Sequence, residues 1–419
     1  MKLSFAVISD IHIKSKSDED DKKFKRALIV MNKLRPELDA VLIAGDITHR
    51  GKAAEYSKFR EIYRRYGNPQ SEKVFVMGNH DYWNGLPISF AQKRFEKSTG
   101  TSIHTHKVIK GFHFISVSTE GRRRDGYFSP KLILWVKDRL EAAKKDNPHK
   151  PIFFTVHQHI ANTVYGSEEW SSRAFYDVLK DYPQVVTFTG HSHHPLNDPR
   201  SIHQRDFTSV GTASVSYVEM ESGKINGSVP PRAEEFSQGL LVNVDENNRV
   251  TINPVDFAKG KVLDKEWTIE DINDKSKFKY TDDRYLSGIR PYFSKKNVKL
   301  QEVTPNSVTV TFDKGKHEEF IHSYKIQIID NITGKLHKEF LAFSDFYLSK
   351  SRKKLTLKLS GLMKNTKYRL KIKAVEPFGK ESEDYLSASF KTKDKSVIKT
   401  IKDNLILLMG YLFTPLQQE

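Results

Sequence analysis

Leu3-Ser4-Phe5-Ala6-Val7-Ile8-Ser9-Asp10-Ile11-His12 opens the chain with a short apolar run that ends in two polar side chains. The run has the length and the Val, Ile and Phe content of a buried β-strand. Asp10 and His12 come just after it, where open α/β sheets place their functional groups. The stretch therefore predicts a buried strand that carries a carboxylate and an imidazole at its carboxyl end.

Four more segments in the first half of the chain repeat this arrangement. The apolar runs cover residues 39–44, 73–77, 151–156 and 184–189. The polar residues that follow them are Gly45-Asp46, Gly78-Asn79-His80-Asp81, His157 and Gly190-His191-Ser192-His193. One histidine at a strand end is usually structural, and one Gly-Asp pair is usually a turn. Their joint occurrence, each after an apolar run, predicts a common site.

Stretches of helical period separate the apolar runs. The predicted helices cover residues 21–34, 53–66, 86–97, 129–145 and 171–180, and Ser129-Pro130 is a good N-cap and first-turn pair. Residues 112–117 add another strand, and residues 206–219 and 238–256 read as strands, with a hairpin tip at residues 245–248. The alternation of strands and helices indicates an α/β domain.

Length and composition limit the class of protein. With 419 residues the chain exceeds what one hydrophobic core usually organises, which predicts two domains. The chain has no cysteine, so a disulfide framework and a thiolate metal site are both excluded. Any metal ion must therefore be held by His, Asp, Glu or Asn.

The charge balance and the N-terminus bear on partners and location. A net charge of +17 is compatible with an anionic substrate, polymer or surface. It permits a nucleic-acid partner without favouring one, because a sequence does not show whether the basic residues share a face. The opening residues leave no room for a signal peptide, which predicts a cytoplasmic protein if Met1 is the native start. No apolar run reaches the roughly 20 residues that a transmembrane segment needs.

The last third of the chain has a different pattern. Apolar and polar residues alternate over residues 297–393 without convincing helices, which predicts a β-sandwich. In the tail, apolar residues recur at helical spacing: Val397, Ile401, Leu405, Leu408 and Leu412. This predicts a helix that docks on the body or on a second subunit, with a surface membrane anchor as the alternative, so a homo-oligomer could form through the C-terminal domain or the tail. The predicted division is a domain over 1–262, a linker or capping segment over 263–294, a sandwich over 295–393 and a helical tail over 394–419.

The polar residues at the strand ends form a chemically coherent ligand set. Carboxylates, imidazoles and one amide oxygen suit Mn, Fe, Zn or Co better than soft metals. Two such ions about 3.5–4 Å apart can bind phosphate oxygens, generate a hydroxide near neutral pH and stabilise both the attacking and the leaving oxygen. A carboxylate with two oxygens is the natural bridge between them.

Across residues 1–260 the order D-x-H, GD, GNH, H and GHxH resembles the calcineurin-like metallophosphoesterase family. The resemblance implies a four-layer αββα sandwich and a dinuclear-metal phosphohydrolase. By the same resemblance, Asp10, His12, Asp46 and His193 hold the first metal, and Asp46, Asn79, His157 and His191 hold the second. Asp46 is then the bridge. His80 would contact the phosphate and protonate the leaving oxygen, while Asp81 would orient His80 and raise its basicity.

Residues within the motifs narrow the expected substrate. The block Asn79-His80-Asp81 stands where many relatives have Asn-His-Glu, a variant common in the cyclic-nucleotide phosphodiesterase branch. His49 occupies the position of the tyrosine ligand of purple acid phosphatases and of the second aspartate of protein phosphatases, which disfavours both. Arg122-Arg123-Arg124, in a probable loop, could meet an anionic substrate or be simply solvated.

The function expected from these residues is hydrolysis of phosphodiesters, either cyclic nucleotides or related small diesters. A metal-bridging hydroxide is the expected nucleophile and His80 the acid. The alternatives are a nuclease or phosphomonoesterase of the same superfamily, or a metal-binding scaffold without catalysis.

A second resemblance covers residues 295–393. The stretch Leu362-Met363-Lys364-Asn365-Thr366-Lys367-Tyr368 resembles the fibronectin type III run that leads into its tyrosine corner, with Lys364 where Pro is usual. Phe312 stands where that family usually has Trp. The resemblance implies an all-β, immunoglobulin- or fibronectin III-like sandwich that brings no catalytic residues.

Overall fold

The computed structural model describes residues 2–169, 171–286 and 288–394. These residues form two units. The first runs up to Gly288 and includes Asp345–Ser351, and the second contains Ile289–Ser344 and the described residues from Arg352 onwards. The predicted tail helix with Val397 to Leu412 lies outside the described residues, and the division into domains at 262 and 294 stays a prediction.

The first unit combines strands and helices in alternation. Its strands are β1 (Leu3–Ile8), β2 (Ala40–Ala44), β3 (Glu72–Val76), β4 (His104–Ile109), β5 (Phe112–Val117), β6 (Ile152–Val156), β7 (Val185–Thr189), β8 (Ile202–Gln204), β9 (Thr208–Gly211), β10 (Gln238–Val244), β11 (Val250–Asp256), β12 (Lys261–Val262) and β13 (Trp267–Ile269). Its helices are α1 (Glu19–Leu34), α2 (Ala53–Tyr66), α3 (Ile88–Thr99), α4 (Pro130–Asp146) and α5 (Tyr176–Leu179). The predicted capping of α4 is confirmed, because the Ser129 side chain accepts a hydrogen bond from the Leu132 N–H.

Two mixed sheets organise this unit. The first sheet has the order β12-β11-β10-β1-β2-β3, with β13 paired to β11, and the second has the order β4-β5-β6-β7-β9-β8. In the first sheet β1, β2 and β3 are parallel. In the second sheet β5, β6, β7 and β9 are parallel. Parallel neighbours bring their carboxyl ends to the same edge, so residues that follow these strands come close together.

The two sheets pack face to face between two layers of helices. The ring of Phe5 on β1 lies 5.2 Å from Phe114 and 4.8 Å from Phe153, both on the second sheet. Helices α1, α2 and α3 share a buried core with the first sheet. Helices α4 and α5 share one with the second sheet. The four-layer αββα fold is therefore confirmed.

Some local predictions were wrong. Helix α5 is four residues long instead of ten, because residues at its expected start bond to another loop: the Ser172 N–H donates to His159 O and the Ala161 N–H to Ser172 O. Strand β9 ends at Gly211, and the chain beyond it turns towards the end of β1, where the Val215 N–H donates to Ser9 O. Strand β4 was missed because it is a half-buried edge strand with a polar sequence.

The second unit is all-β, as predicted. Its strands are β14 (Val298–Gln301), β15 (Ser307–Asp313), β16 (Ser323–Asp330), β17 (Leu336–Phe343), β18 (Lys354–Ser360), β19 (Lys367–Val375) and β20 (Leu386–Lys391). They form a sheet in the order β14-β15-β18 and another in the order β17-β16-β19-β20. Residues from both sheets share one apolar core. The Tyr368 hydroxyl accepts a hydrogen bond from the Met363 N–H at 3.0 Å, which anchors the turn that leads into β19. The fibronectin type III assignment stays a prediction.

Candidate metal centre

The predicted ligands follow the carboxyl ends of parallel strands in both sheets. Several of them adopt a left-handed backbone conformation, with positive φ at Asp10 (52°), His12 (53°), Asp46 (50°), His191 (74°) and His193 (57°). Non-glycine residues rarely adopt positive φ, and a group of them in one place is typical of functional sites. Here the unfavourable backbone brings side chains from three loops, those after β1, β2 and β7, into one region.

The first of two neighbouring clusters joins β1 with β7. His193 Nε2 lies 3.1 Å from Asp10 Oδ1 and 3.2 Å from His12 Nε2. One ligand atom from each of these three buried residues lies within 4.8 Å of the others. A carboxylate and two imidazoles at this spacing match the donor set of a divalent transition metal.

The second cluster joins the two sheets. It contains Asp46 after β2, His157 after β6 and His191 after β7, again within 4.8 Å. His157 Nε2 is 3.2 Å from Asp46 Oδ2, and the same oxygen is 3.8 Å from His12 Nε2 in the first cluster. Asp46 Oδ1 accepts a hydrogen bond from the His80 N–H at 2.9 Å. Asp46 therefore turns one carboxylate oxygen towards both clusters and is held by the other.

Both clusters are electrostatically suited to a cation. Burial disfavours charge on His157, but the adjacent Asp46 carboxylate outweighs it and raises the pKa of His157 to about 9. His157 Nδ1 lies 2.8 Å from the Ala44 carbonyl and therefore donates to it, which leaves Nε2 facing Asp46. That buried Nε2 makes no hydrogen bond to any described residue. The Asp46 carboxylate thus stabilises a positive charge at Nε2, either a proton or a metal ion in its place, so the residues present fit a bound metal ion.

Two glycines make room for these side chains. A Cβ added to Gly78 would lie 2.0 Å from Asp46 Oδ1, and one added to Gly45 would lie 2.4 Å from His157 Nδ1. Gly45 also has a φ of +89°, which disfavours any other residue. The glycines of the GD and GNH blocks thus let the second cluster close.

Asn79 and His80 lie beside the clusters. Asn79 is buried, and its Oδ1 is 3.5 Å from the Gln158 Nε2 that donates to it. His80 Nδ1 lies 3.0 Å from the His49 carbonyl, and its Nε2 is 3.9 Å from Asp46 Oδ2. The His80 side chain is 16% exposed, so a molecule arriving from solvent can reach it.

The contacts of Asp81 are with two neighbouring loops, and its expected role in orienting His80 stays a prediction. Its carboxylate is fully buried and accepts hydrogen bonds from the Thr48 hydroxyl at 2.6 Å and from the Tyr56 hydroxyl at 3.0 Å. It also accepts from the N–H groups of Ile47, Thr48 and Gly78. These bonds tie the loop after β2 to the loop after β3. The contact that orients the His80 ring is the His49 carbonyl, because a side chain next in sequence points elsewhere on a 3-10 turn.

Sequence reasoning missed two residues that shape the site. Trp83 packs on the His80 ring at 3.7 Å between centroids. His49 forms a third histidine group with His12 and His80, within 4.8 Å. The spacing of Trp83, three residues after His80 on a helical turn, was the available signal. In the sequence, His49 was considered only as a replacement for the tyrosine ligand of purple acid phosphatases and for the second aspartate of protein phosphatases.

The loop of arginines borders the same site. The Trp83 Nε1–H donates to Arg122 O at 3.2 Å, and Gln158 Nε2 donates to Arg124 O at 3.4 Å. Both donors also contact site residues, His80 and Asn79. The side chains of Arg122, Arg123 and Arg124 are exposed. The loop backbone is thus anchored beside the clusters, and the Arg123 guanidinium is ion-paired with Asp125.

Two polar residues of the loop after β7 form a pair of their own. Asp198 and Arg200 are bonded to each other, with Arg200 NH2 2.7 Å from Asp198 Oδ2, and the Arg200 guanidinium lies 3.7 Å from the centre of the Tyr165 ring. This buried pair is a structural element of the loop after β7 rather than an open anion site.

No helix among the described residues is long and apolar enough to cross a bilayer.

The sequence was compared with known families and proteins. Residues 3–195 match the family described as calcineurin-like phosphoesterase. A probable glycerophosphodiester phosphodiesterase of Arcobacter nitrofigilis is 28% identical over 204 residues, which cover 44% of this chain and 70% of that protein. A probable cyclic nucleotide phosphodiesterase of Ruthia magnifica subsp. Calyptogena magnifica is 24% identical over 209 residues, covering 46% of this chain and 79% of that protein.

Among solved structures, a purple acid phosphatase from yellow lupin (Lupinus luteus) seeds aligns with a TM-score of 0.48 at 12% identity. The alignment covers 64% of this chain and 55% of that chain. The family match falls on the segment that supplies the five polar strand ends. Residues 3–195, somewhat less than half of the chain, therefore resemble a calcineurin-like phosphoesterase domain.

Proposed function

We propose that this protein is a metal-dependent phosphodiesterase with a dinuclear centre. The observation that carries the proposal is the position of Asp46, whose Oδ2 lies 3.2 Å from His157 in one cluster and 3.8 Å from His12 in the other. A single carboxylate oxygen between two sets of imidazole and carboxylate ligands is what a bridge between two ions requires.

The proposed ligands divide between the two clusters. Asp10, His12, Asp46 and His193 would hold the first ion, and Asp46, Asn79, His157 and His191 the second. Two Mn, Fe, Zn or Co ions bound there would bind phosphate oxygens, activate water near neutral pH and stabilise the attacking and leaving oxygens. The chain itself contributes orientation through the left-handed backbone at five of the seven ligands, namely Asp10, His12, Asp46, His191 and His193.

His80 is the proposed acid and phosphate contact. Its Nδ1 donates to the His49 carbonyl, which directs Nε2 towards the clusters. Trp83 packs against one side of the ring and limits its rotation. A protonated Nε2 in this position can bind a phosphate oxygen and then give its proton to the leaving oxygen. The ring is also partly exposed, so a substrate does not have to displace protein to reach it.

Small diesters are the proposed substrates. Both relatives described above are named as phosphodiesterases, one for glycerophosphodiesters and one for cyclic nucleotides. The exposed arginines of residues 122–124, beside His80 and Asn79, offer positive charge to an anionic substrate.

The test is hydrolysis by metal-stripped protein resupplied with Mn²⁺. The substrates are bis-p-nitrophenyl phosphate, p-nitrophenyl phosphate, and 2′,3′- and 3′,5′-cyclic AMP. We expect metal-dependent turnover with a higher kcat/KM for diesters than for the monoester. His80→Ala should lose most of this activity, whereas the change of a half-buried histidine of the second unit, His337→Ala, should retain it.

Three results would contradict the proposal. A preference for the monoester would point to a phosphatase. Turnover of polynucleotides alone would point to a nuclease. Absence of turnover with every metal, in folded protein that still binds two ions, would point to a scaffold.

A further inference from the structure

A cavity that is separate from the candidate metal centre lies on the outer side of the first sheet. Its volume is about 480 Å³, and it is bounded by α2, the start of β3 and the end of α3. Its walls are Phe59, Arg60, Tyr63, Arg64, Gly67, Asn68, Pro69, Lys73, Phe75, Lys97, Ser98, Thr99 and Gly100. None of these residues belongs to the candidate metal centre. Pockets for small molecules typically measure about 300–1,000 Å³, so the volume suits a small ligand.

The walls of this cavity carry positive charge only. Arg60, Arg64, Lys73 and Lys97 line it, and no Asp or Glu does. Arg60 and Arg64 are four residues apart on α2, so they project from the same side of the helix. Among the described residues, Arg60, Arg64 and Lys97 have no ion-pair partner. Cations held together without a counter-charge repel one another, and an anion would relieve that repulsion.

The ring of Tyr63 forms part of the cavity wall. Tyr63 is 7% exposed, and the Lys73 ammonium lies 5.3 Å from the centre of the ring. The Tyr63 hydroxyl is closed off from solvent and so does not open onto the cavity. Tyr63 therefore gives the cavity an aromatic surface beside its positive charges.

We propose that this cavity binds a small phosphorylated molecule. Its phosphate would be held by the guanidinium groups of Arg60 and Arg64. Arginine suits this task because its planar fork of N–H groups matches the oxygens of a phosphate. The site is separate from the metal centre and does not depend on hydrolysis.

The first test is calorimetric titration of the Mn²⁺-loaded protein with AMP, and with adenosine as the uncharged counterpart. The titration is repeated on Asp46→Asn, whose metal centre is impaired. We expect AMP, but not adenosine, to bind Asp46→Asn at one site. The double variant Arg60→Glu and Arg64→Glu should bind AMP about a hundredfold more weakly, because two charge-assisted contacts are replaced by repulsion.

Two further variants make the test specific. The pair Arg65→Glu and Lys93→Glu changes the net charge by the same amount at exposed positions that do not line the cavity, and it should leave AMP affinity unchanged. Tyr63→Phe should also leave AMP affinity unchanged, because the buried hydroxyl does not reach the cavity.

Four outcomes would overturn the proposal. They are loss of all AMP binding in Asp46→Asn, wild-type affinity in the Arg60 and Arg64 double variant, an equal loss of affinity in the Arg65 and Lys93 control, and adenosine binding as tight as that of AMP.

Discussion

The two units are both built largely from β-strands, yet only one concentrates functional groups at its strand ends. In the αββα unit, β1, β2 and β3 are parallel to one another, and so are β6 and β7. The five polar segments that follow these strands therefore meet. In the all-β unit every pairing between named strands is antiparallel. Successive antiparallel strands end at opposite edges, so residues that follow them are kept apart. All the groups suited to a metal ion, among the described residues, lie in the first unit.

The interiors of the two units differ accordingly. Buried Asp10, Asp46 and His157 of the first unit face one another at the sheet edge. The core of the second unit is apolar, with side chains such as Val310, Ile326 and Leu370 drawn from both of its sheets. Buried charge in the first unit is thus organised for binding, whereas burial in the second serves packing.

The largest difference between the units should appear in kcat/KM when one carboxylate in each unit is replaced by an amide. Asp46→Asn removes the proposed bridge and should lower kcat/KM for bis-p-nitrophenyl phosphate at least about a thousandfold, since metal and electrostatic stabilisation are each worth several kcal/mol. Asp313→Asn alters an Asn297 contact in the second unit and should leave the rate unchanged. Equal effects of the two variants would break the comparison.

A cavity in the all-β core should change stability but not chemistry. Ile326 on β16 is fully buried, so Ile326→Ala should lower the stability of that unit by about 2–5 kcal/mol. The measurement is hydrogen exchange of the β16 amides, with kcat of the Mn²⁺-loaded protein measured in parallel. A fall in kcat of the folded variant would show that the second unit contributes to the reaction.

Asp81→Asn separates two roles for this residue. An amide would place an NH2 group against the donors of Thr48, Tyr56 and Gly78, which would loosen the loops that carry Asp46 and Asn79. We expect Mn²⁺ affinity to fall about tenfold to a hundredfold, as is usual for supporting contacts, and kcat to recover at saturating Mn²⁺. The milder Tyr56→Phe removes one of these bonds and should have a smaller effect in the same direction.

If kcat of Asp81→Asn instead stays low at saturating metal, Asp81 acts on His80 directly. That result would restore the role expected from sequence.

The smallest expected effect concerns the arginine loop. Arg122→Ala removes an exposed guanidinium beside the site and leaves the carbonyl that bonds to Trp83 in place. An exposed ion pair is worth up to about 1 kcal/mol, so KM for bis-p-nitrophenyl phosphate should rise about threefold to fivefold with kcat unchanged. Arg65→Ala, an exposed arginine that is not in this loop, is the matched control. The rise should shrink at high salt, and a KM equal to that of wild type at low salt would exclude Arg122 from substrate binding.

Sequence predicted the site-bearing strands to within about two residues at their ends. The reason is that buried parallel strands are continuous apolar runs, and β1, β2, β3, β6 and β7 are such runs. Strand β4 was not predicted because it lies at the edge of the second sheet, paired on one side with β5. Its His104-Thr105-His106-Lys107 segment is therefore polar rather than a continuous apolar run. The length of helix α5 was overestimated because helix propensity does not show that Ser172 is hydrogen-bonded to the loop after β6.

By itself, the sequence determined the order of apolar runs and ligand-type residues, and hence an α/β domain, the nature of the donor set and the separate all-β region, while the αββα layering was implied by the family resemblance. These are local properties, since runs of consecutive residues indicate which segments are buried and how long each strand is. Only the tertiary structure decided which oxygen of Asp46 faces both clusters, that Asp81 holds loops together while the His49 carbonyl orients His80, and that Arg60, Arg64 and Tyr63 share a cavity. These facts depend on side-chain directions and on contacts between residues far apart in the chain, which no spacing encodes.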